Sequence, residues 1–531
     1  MHGFSLPSTQ AINQADFRNA DSASKWLAAQ PQANVAAMLA SLIKQIDAFN
    51  RYEVSARERF KTMEALRKAI FAVNSDCRRR FENKPLPLAQ GDQSVLDDVR
   101  RLWRLCTVAY QHCLKSCMDG DSAISPYSAR VAHRAMFCLR VEQLDSYAAA
   151  VEPMLGFWRN LHAVQEAAES LGVAEKVVDD RLLGETSEST VNGHYAMALL
   201  LHLARPFSLT AGQLAAVVRW LARWREQVSV VDQPGRDAKS VVIPVDLSAD
   251  RPIHVSSDTP GQPRWLSIDG VLRKIRKRVG SLAAGESPES LKLGTGLSVD
   301  ACRALLETLA YHLQHPVEEL DSLGSMPSLK VGTGLVSIYR LLGGEGLEDP
   351  LHPASSSDNH LSKDQLAVFG HVVRERAAPP EAVLEDWHLG RDCVKELVLL
   401  RAVDAATSRL SLRGVLAVRL PEGYKLAVIN SLGQRADRGL EASVGLLPGD
   451  VVPCVAEIRD RTSGKTQRHP VFLLKMRDSD EQNLLMPAGI MARATAVRFY
   501  DGHGQSFPQL RLVDCIERNS EVEYWRVSSE G

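Results

Sequence analysis

Cysteine and histidine are common metal ligands, and they cluster once in this sequence, at Cys106, His112, Cys113 and Cys117. On a helix the three cysteines would share one face, which is also where core residues lie. A structural zinc site draws its ligands from turns, at CxxC-like spacing. We therefore interpret these thiols as core residues, and we interpret Cys393, Cys454 and Cys515 of the later strands in the same way. We predict no metal site in this chain.

The densest run of positive charge is Arg273, Lys274, Arg276, Lys277 and Arg278. Such a run could bind phosphate, a nucleotide or an acidic partner. The intervening Leu272, Ile275 and Val279 instead fit an amphipathic helix with a solvated basic face, and we favour that interpretation.

A Gly-Thr-Gly motif occurs twice, in Leu291–Leu297 and Leu329–Leu335. Each copy reads as a strand-like triplet, a turn and then a helix, and free N–H groups at a helix start can bind anions. Neither copy has the Gly-Lys-Ser/Thr ending of a P-loop, nor the spacing of a dinucleotide-binding loop. We predict tight structural turns, with Ser298 suited to capping the helix that follows the first copy.

Recognisable catalytic motifs are absent from the sequence. It contains neither Gly-x-Ser-x-Gly nor His-Glu-x-x-His, and its acidic clusters at 119–121 and 478–481 lie in polar turns. We predict no catalytic residues and a non-enzymatic protein. An enzyme with dispersed catalytic residues stays open as an alternative, because a triad need not be local in sequence.

Composition places the chain among multidomain globular proteins. It has 531 residues, 45% of them hydrophobic, and 63 basic against 64 acidic side chains give a net charge of −1. This balance and the 6% aromatic content argue against a nucleic-acid-binding protein. The start lacks a secretory signal, no apolar run is long enough to span a membrane, and nine cysteines suggest reduced thiols. We expect a cytoplasmic protein.

The first half of the chain has helical periodicity. Val35, Met38, Leu39, Leu42, Ile43, Ile46 and Phe49 form one apolar stripe, which Asn34 can cap. Further helices follow near 55–73, 96–114, 126–151, 155–171, 190–203 and 210–228. Short links between them predict an α-helical bundle or solenoid.

After about residue 382 the pattern changes to short strands separated by turn signals, which is typical of a barrel or sandwich. We predict an α+β multidomain chain with a helical N-terminal region, a small mixed α/β centre and a C-terminal antiparallel β-barrel. The predicted parts are a polar arm (1–32), the helical region (33–230), the mixed region with both Gly-Thr-Gly units (231–360) and the barrel with a lead-in helix at 364–377 (361–531).

The strand region resembles the PilZ-type β-barrel. Four segments show this resemblance, and they follow the order of the family: Trp387–Leu397, Leu410–Val418, Tyr424–Ile429 and Leu440–Gly449. The family's Asp-x-Ser-x-x-Gly motif would fall on Asp392, Val394 and Leu397, so only the aspartate matches. The layout of a helical front with such a barrel is also similar to proteobacterial proteins of uncharacterised role.

The resemblance implies cyclic diguanylate as a ligand to test, with arginines that clamp its phosphates and stack on its guanines. In the family an Arg-x-x-x-Arg pair precedes the first strand. This sequence has Arg374-Glu-Arg376 there, and the family's spacing recurs later in Arg409 and Arg413. The candidate nucleotide-binding residues are therefore Arg374, Arg376, Asp392, Arg409 and Arg413; surface charges and a turn aspartate are the alternative interpretation.

Two functions follow from this layout. The first is a cytoplasmic regulatory or adaptor protein in cyclic diguanylate signalling, whose helices bind a protein partner and whose barrel carries an altered or degenerate nucleotide site. The alternative is a structural scaffold that binds a protein partner through its helices and has no ligand.

Overall fold

The computed structural model describes residues 3–531 except 32, 183–186, 234–239, 255–259, 317–325, 346, 348–382, 394–395, 403–407, 438, 462–463, 477–481, 502–509, 520 and 530–531. The chain divides into two compact units. One unit contains residues 1–84 and 88–320, and the other contains residues 85–87 and 321–531. We call them the helical unit and the β unit.

Eight helices build the first part of the helical unit, which confirms the predicted helical front. They are α1 (Ala20–Ala28), α2 (Val35–Asn50), α3 (Ala56–Phe81), α4 (Gln90–Met118), α5 (Ser128–Ala148), α6 (Phe157–Ser170), α7 (Val191–Leu203) and α8 (Ala211–Trp224). Between α6 and α7 a small hairpin pairs β1 (Val178–Asp179) with β2 (Glu188–Ser189).

Local signals explain where these helices begin. The Asn34 side chain accepts from Ala37 N, as predicted, and Ser55 caps α3 in the same way. Helix α1 lies where a loose polar arm was predicted. An Asn19–Ser22 capping box starts it, and the buried ring of Phe17 packs on Trp26 and Phe49.

The predicted core cysteines of the helical front are confirmed, because Cys106, Cys113 and Cys117 are all buried. The same prediction for the strand cysteines holds for Cys454, which is buried, and is wrong for Cys515. Cys515 is exposed because its strand lies at the edge of a sheet. The side chain of Cys393 lies outside the described residues.

The mixed centre up to residue 320 belongs to the helical unit, and the part from residue 321 onward belongs to the β unit. The sheet of the mixed centre has the order β3 (Ser229–Val231), β5 (Pro263–Ser267), β4 (Val242–Asp246), and two helices follow, α9 (Asp269–Ala283) and α10 (Val299–Gln314). The basic run lies on α9 with Arg273, Lys274, Arg276 and Lys277 exposed and Leu272 and Ile275 buried, as a solvated face requires. Ser298 caps α10, as predicted.

The two Gly-Thr-Gly copies differ in structure. The first forms no strand, because its carbonyls are bound by α8: Trp220 Nε1 donates to Leu293 O (2.9 Å) and Arg223 Nη1 to Lys292 O (2.6 Å). The second forms β6 (Ser328–Gly332) and leads into α11 (Leu335–Leu341). The prediction of two strand-turn-helix units is therefore wrong for the first copy.

The β unit contains the predicted closed antiparallel barrel. Its strand order is β10–β11–β8–β7–β6–β9, and β6 closes it by pairing with both β7 and β9. The remaining barrel strands are β7 (Leu384–Cys393), β8 (Glu396–Arg401), β9 (Val415–Leu420), β10 (Gly423–Gln434) and β11 (Leu440–Leu446).

The last strands form a separate six-stranded antiparallel sheet in the order β15–β12–β13–β14–β17–β16. One core cluster includes Ala417 and Leu426 of the barrel together with Phe472 and Leu485 of the sheet, so the two layers pack on each other within the β unit. The strands are β12 (Asp450–Asp460), β13 (Thr466–Lys475), β14 (Gln482–Pro487), β15 (Ala494–Asp501), β16 (Leu510–Arg518) and β17 (Val522–Ser529).

Candidate functional site

Arg413 has a strained backbone just before β9. Its φ is +66°, a left-handed conformation that costs a non-glycine residue about 1 kcal/mol or more. Two hydrogen bonds hold it there: Arg413 N donates to Ile429 O (2.9 Å), and Asn519 Nδ2 donates to Arg413 O (2.7 Å). The backbone position of Arg413 is therefore fixed by the strand β10 and by the turn before β17.

The Arg413 side chain begins a polar chain along the barrel. Its Nη1 donates to Asn430 Oδ1 (3.1 Å), and Asn430 Nδ2 donates to Glu396 Oε1 (3.3 Å). Its Nε also lies 3.7 Å from a carboxylate oxygen of Glu517, and 32% of the side chain is exposed. Because a guanidinium carries five N–H donors, donors remain for a ligand at the exposed side.

Asp392 lies beside this chain. In β7 the backbone of Asp392 pairs with Leu397, and its neighbour Cys393 pairs with Glu396, the first residue of β8. The structure thus brings the backbone of Asp392 within one pairing position of Glu396, the residue that Asn430 links to Arg413. The side chain of Asp392 lies outside the described residues.

Arg409 has different partners, although the sequence spacing suggested a pair with Arg413. Its guanidinium is exposed and donates to the carbonyls of Pro85 (2.9 Å) and Pro87 (3.1 Å). An isolated antiparallel bridge between Leu86 and Leu410 holds that segment within the β unit. The described contacts show no partner shared by Arg409 and Arg413. Arg374 and Arg376 lie outside the described residues.

The barrel contains a buried ionic cluster that was not predicted from the sequence. Arg401 Nη1 donates to Glu385 Oε2 (2.8 Å), and both side chains are at most 1% exposed. Trp387 Nε1 donates to the same oxygen (3.0 Å), and its ring lies 5.3 Å from the Arg401 guanidinium carbon. Ser408 donates through N and Oγ to Glu385 Oε1. The sequence signal that could have indicated this cluster is a charged residue, Arg401, directly after the apolar residues of β8.

Glu385 therefore anchors the segment that carries Arg409 and Arg413. The carboxylate bonds of Ser408 fix the chain one residue before Arg409. A buried ion pair of this kind depends on both partners, because the loss of one leaves an uncompensated charge in the interior.

Ser189, His133 and His194 form a hydrogen-bonded cluster in the helical unit, but it is closed to solvent. His133 Nε2 lies 2.8 Å from Ser189 Oγ, which lies 3.2 Å from His194 Nε2. Burial and the adjacent Arg134 lower the pKa of His133 to about 3, and burial lowers the pKa of His194 as well. Both rings are neutral near pH 7, and all three side chains are at most 1% exposed, so a substrate has no access to them.

The cavity beside this cluster is too small for a nucleotide. Its volume is about 10 Å³, which is about the size of one water-sized sphere. Its lining includes Arg67, Trp103, Tyr110 and Phe137. In the part of the chain that the structure describes, no group of three His, Cys, Asp or Glu side chains could hold a metal ion. Within the same residues, no helix is long and apolar enough to cross a membrane.

A family model described as the N-terminal domain of the cyclic-di-GMP receptor FimW matches residues 21–234. Residues 21–234 are similar to this receptor domain. The match covers α1 to α8 and ends at the mixed centre. The cyclic-di-GMP receptor FimW of Pseudomonas aeruginosa is 22% identical over 210 residues, which are 39% of this chain and 34% of the relative. The match thus spans about a third of the curated relative. No solved structure matches the chain.

Proposed function

We propose that this protein is a non-enzymatic regulatory protein that binds cyclic diguanylate. The observation that carries the proposal is the similarity of residues 21–234 to the N-terminal domain of a cyclic-di-GMP receptor. It is supported by the closed six-stranded barrel in the same chain, the fold that the resemblance to PilZ-type proteins implied.

In this proposal the nucleotide binds the barrel at Arg413, and not inside the helical unit. Arg413 is a partly exposed guanidinium on a rigid support, and a planar fork of donors suits a phosphodiester and the face of a guanine. Asn430 and Glu396 would orient it, and Asp392 would lie at the edge of the same site. Arg409 would contribute by leaving the proline carbonyls that it binds in this structure.

Titration calorimetry of the full chain with cyclic diguanylate tests this proposal. We expect saturable binding near one site per chain, weakened at least tenfold by Arg413→Ala. Arg419→Ala is the matched control, because Arg419 is exposed near the far end of β9, where its guanidinium carbon lies 5.1 Å from the centre of the Tyr424 ring. Absence of binding, or equal losses in both variants, contradicts the proposed site.

The alternative is a scaffold with no ligand, whose helices bind a protein partner. An exposed apolar pair on the helical unit favours a partner surface there, since Leu155 is 86% and Met154 is 42% exposed. A chain that binds no cyclic diguanylate and keeps its partner interaction would support this second function. The partner and its surface remain predictions.

A further inference from the structure

Helix α9 presents a compact cluster of positive charge to solvent. Its exposed cations lie opposite the side on which Leu272 and Ile275 are buried, and they are Arg273, Lys274, Arg276 and Lys277. We call these four side chains the α9 basic face. By helix geometry they cover an arc of about 160° within about 6 Å of the helix axis.

The α9 basic face has no carboxylate at ion-pairing distance among the described residues. The one acidic residue of α9 is Asp269, and its carboxylate accepts instead from Ser240 Oγ and from Val241 N (3.0 Å). Those two hydrogen bonds, more than the field of Arg273 and Arg276, lower the pKa of Asp269.

Exposed cations on other helices of the same unit do have acidic neighbours. Lys115 pairs with Asp119 at 2.7 Å on α4, and Arg303 pairs with Asp300 at 3.5 Å on α10. On α9 the neighbours at i+3 and i+4 are instead like charges, which destabilise a helix. An anionic partner that neutralised the α9 basic face would therefore be stabilising.

The surrounding fold holds α9 in place despite this repulsion. A Cβ at Gly270 would lie 2.2 Å from Gln227 O, so only glycine permits this close approach to the turn at Arg225–Gln227. The hydrogen bonds of Asp269 tie the start of the helix to the segment before β4. The α9 basic face is thus a fixed surface of the helical unit.

We propose that the α9 basic face binds the anionic headgroups of a phospholipid bilayer. Clustered lysines and arginines on an amphipathic helix are typical of such binding, and their long side chains can extend from a convex helix to a flat surface. Because the apolar side of α9 is buried in the unit, the contact would be peripheral and electrostatic. The proposal does not depend on cyclic diguanylate binding at Arg413.

A bilayer fits this face better than a nucleic acid or an acidic protein. Helix α9 contains no aromatic side chain that could stack on bases, and a duplex presents its phosphates in long rows, whereas the cluster is only about 6 Å long. A protein would have to match its carboxylates to four separate cations. Lipid headgroups move laterally to meet them.

Co-sedimentation of the full chain with phosphatidylcholine vesicles, with and without phosphatidylglycerol, tests the proposal. We expect saturable binding only to the vesicles that contain phosphatidylglycerol. The affinity should fall at least tenfold between about 0.1 M and about 1 M salt, because the Debye length shortens from about 10 Å to about 3 Å. The double variant Lys274→Glu, Lys277→Glu should weaken binding at least tenfold as well.

The matched control is the double variant Lys44→Glu, Lys68→Glu, which makes the same change of net charge at exposed positions of α2 and α3. It should retain vesicle binding. The Tm of Lys274→Glu, Lys277→Glu should equal or exceed that of the wild type, because like charges on α9 become opposite charges. A loss of binding with an unchanged Tm therefore does not reflect unfolding.

A second double variant, Arg273→Lys with Arg276→Lys, keeps the charge and removes the guanidinium forks. We expect it to retain vesicle binding, because headgroups respond to the charge of the face. Failure of the wild type to bind phosphatidylglycerol vesicles, or equal losses in the two glutamate variants, overturns the proposal. Tighter binding to a duplex oligonucleotide at equal salt, or loss of binding in the lysine variant, also overturns it in favour of a nucleic acid or a protein.

The two proposals fail in different ways. Arg413→Ala should leave vesicle binding unchanged, because Arg413 belongs to the β unit. A chain that binds anionic vesicles but no cyclic diguanylate would overturn the proposed function and retain the role of the α9 basic face.

Discussion

Arg413 donates from Nη1 to Asn430 Oδ1 across 3.1 Å while its own backbone is left-handed, with φ +66°. The two facts are connected, because the left-handed turn places the chain against Ile429 and Asn430 of β10. Backbone strain of this kind persists where the surrounding structure fixes it, and it is frequent at ligand sites.

Substitution of Arg413 by glycine separates ligand binding from folding. Glycine tolerates positive φ and relieves the strain, although it gains freedom in the unfolded chain. We expect the free energy of unfolding of Arg413→Gly to stay within about 1 kcal/mol of the wild type, while cyclic diguanylate binding is lost. Urea denaturation and calorimetry measure the two quantities. Retained binding would show that this guanidinium does not contact the nucleotide.

Loss of the buried carboxylate in the barrel should be severe. Glu385→Gln leaves the Arg401 charge buried without compensation, and we expect a loss of about 3 kcal/mol or more in the stability of the β unit. The neighbouring Asp386 provides a control, because it pairs with Lys330 at 2.7 Å with both side chains more than half exposed. Asp386→Asn should cost at most about 1 kcal/mol by denaturant titration. Similar losses in the two variants would contradict this account of the cluster.

Acid should destabilise the helical unit through His133. Its pKa is about 3 when folded and about 6.5 when unfolded, so the unfolded chain takes up the proton first as pH falls. This contribution to stability is fully present above pH 6.5 and is lost progressively toward pH 3. At pH 5 we expect a loss of about 2 kcal/mol relative to pH 7.5.

His133→Gln should remove that part of the pH dependence, measured as the difference in slope of unfolding free energy against pH. An unchanged slope in His133→Gln would show that another group causes the acid sensitivity.

Helix α6 depends on a cap from elsewhere in the chain. Its N-cap residue is Gly156, which has no side chain to cap the helix. The Asp250 carboxylate accepts instead from Gly156 N (2.6 Å) and Arg159 N (3.0 Å). Asp250→Ala should cost about 1 kcal/mol of unfolding free energy. Asp300→Ala, at an exposed position in the first turn of α10, should cost less, and the reverse order would contradict the capping role.

The sequence predicted elements whose determinants are local. The apolar stripe from Val35 to Phe49 and its Asn34 cap predict α2 with its observed start. The closure of the barrel depends on β6, which pairs with β7 and β9 far along the chain, and no local pattern at Ser328–Gly332 encodes those partners. The final strands share the alternating pattern of the barrel strands but form a separate sheet. The same limit explains why the sequence did not predict this separation.

The candidate site was only partly predictable for a similar reason. The spacing of Arg409 and Arg413 suggested a pair, but spacing does not reveal the left-handed turn at Arg413 or the Pro85 and Pro87 carbonyls that bind Arg409. Asn430 and Glu396 could not be predicted as site residues from the sequence. They come together because β10 and β8 both pair with β11, in registers that no local pattern encodes.

Hydrogen–deuterium exchange of the full chain with and without cyclic diguanylate tests the central claim most directly. We expect slower exchange on nucleotide addition at 411–414, 428–431 and 392–397, with α1 to α8 unchanged apart from coupled effects that Arg413→Gly abolishes. Protection confined to the helical unit, or no change at saturating nucleotide, would contradict a cyclic diguanylate site at Arg413.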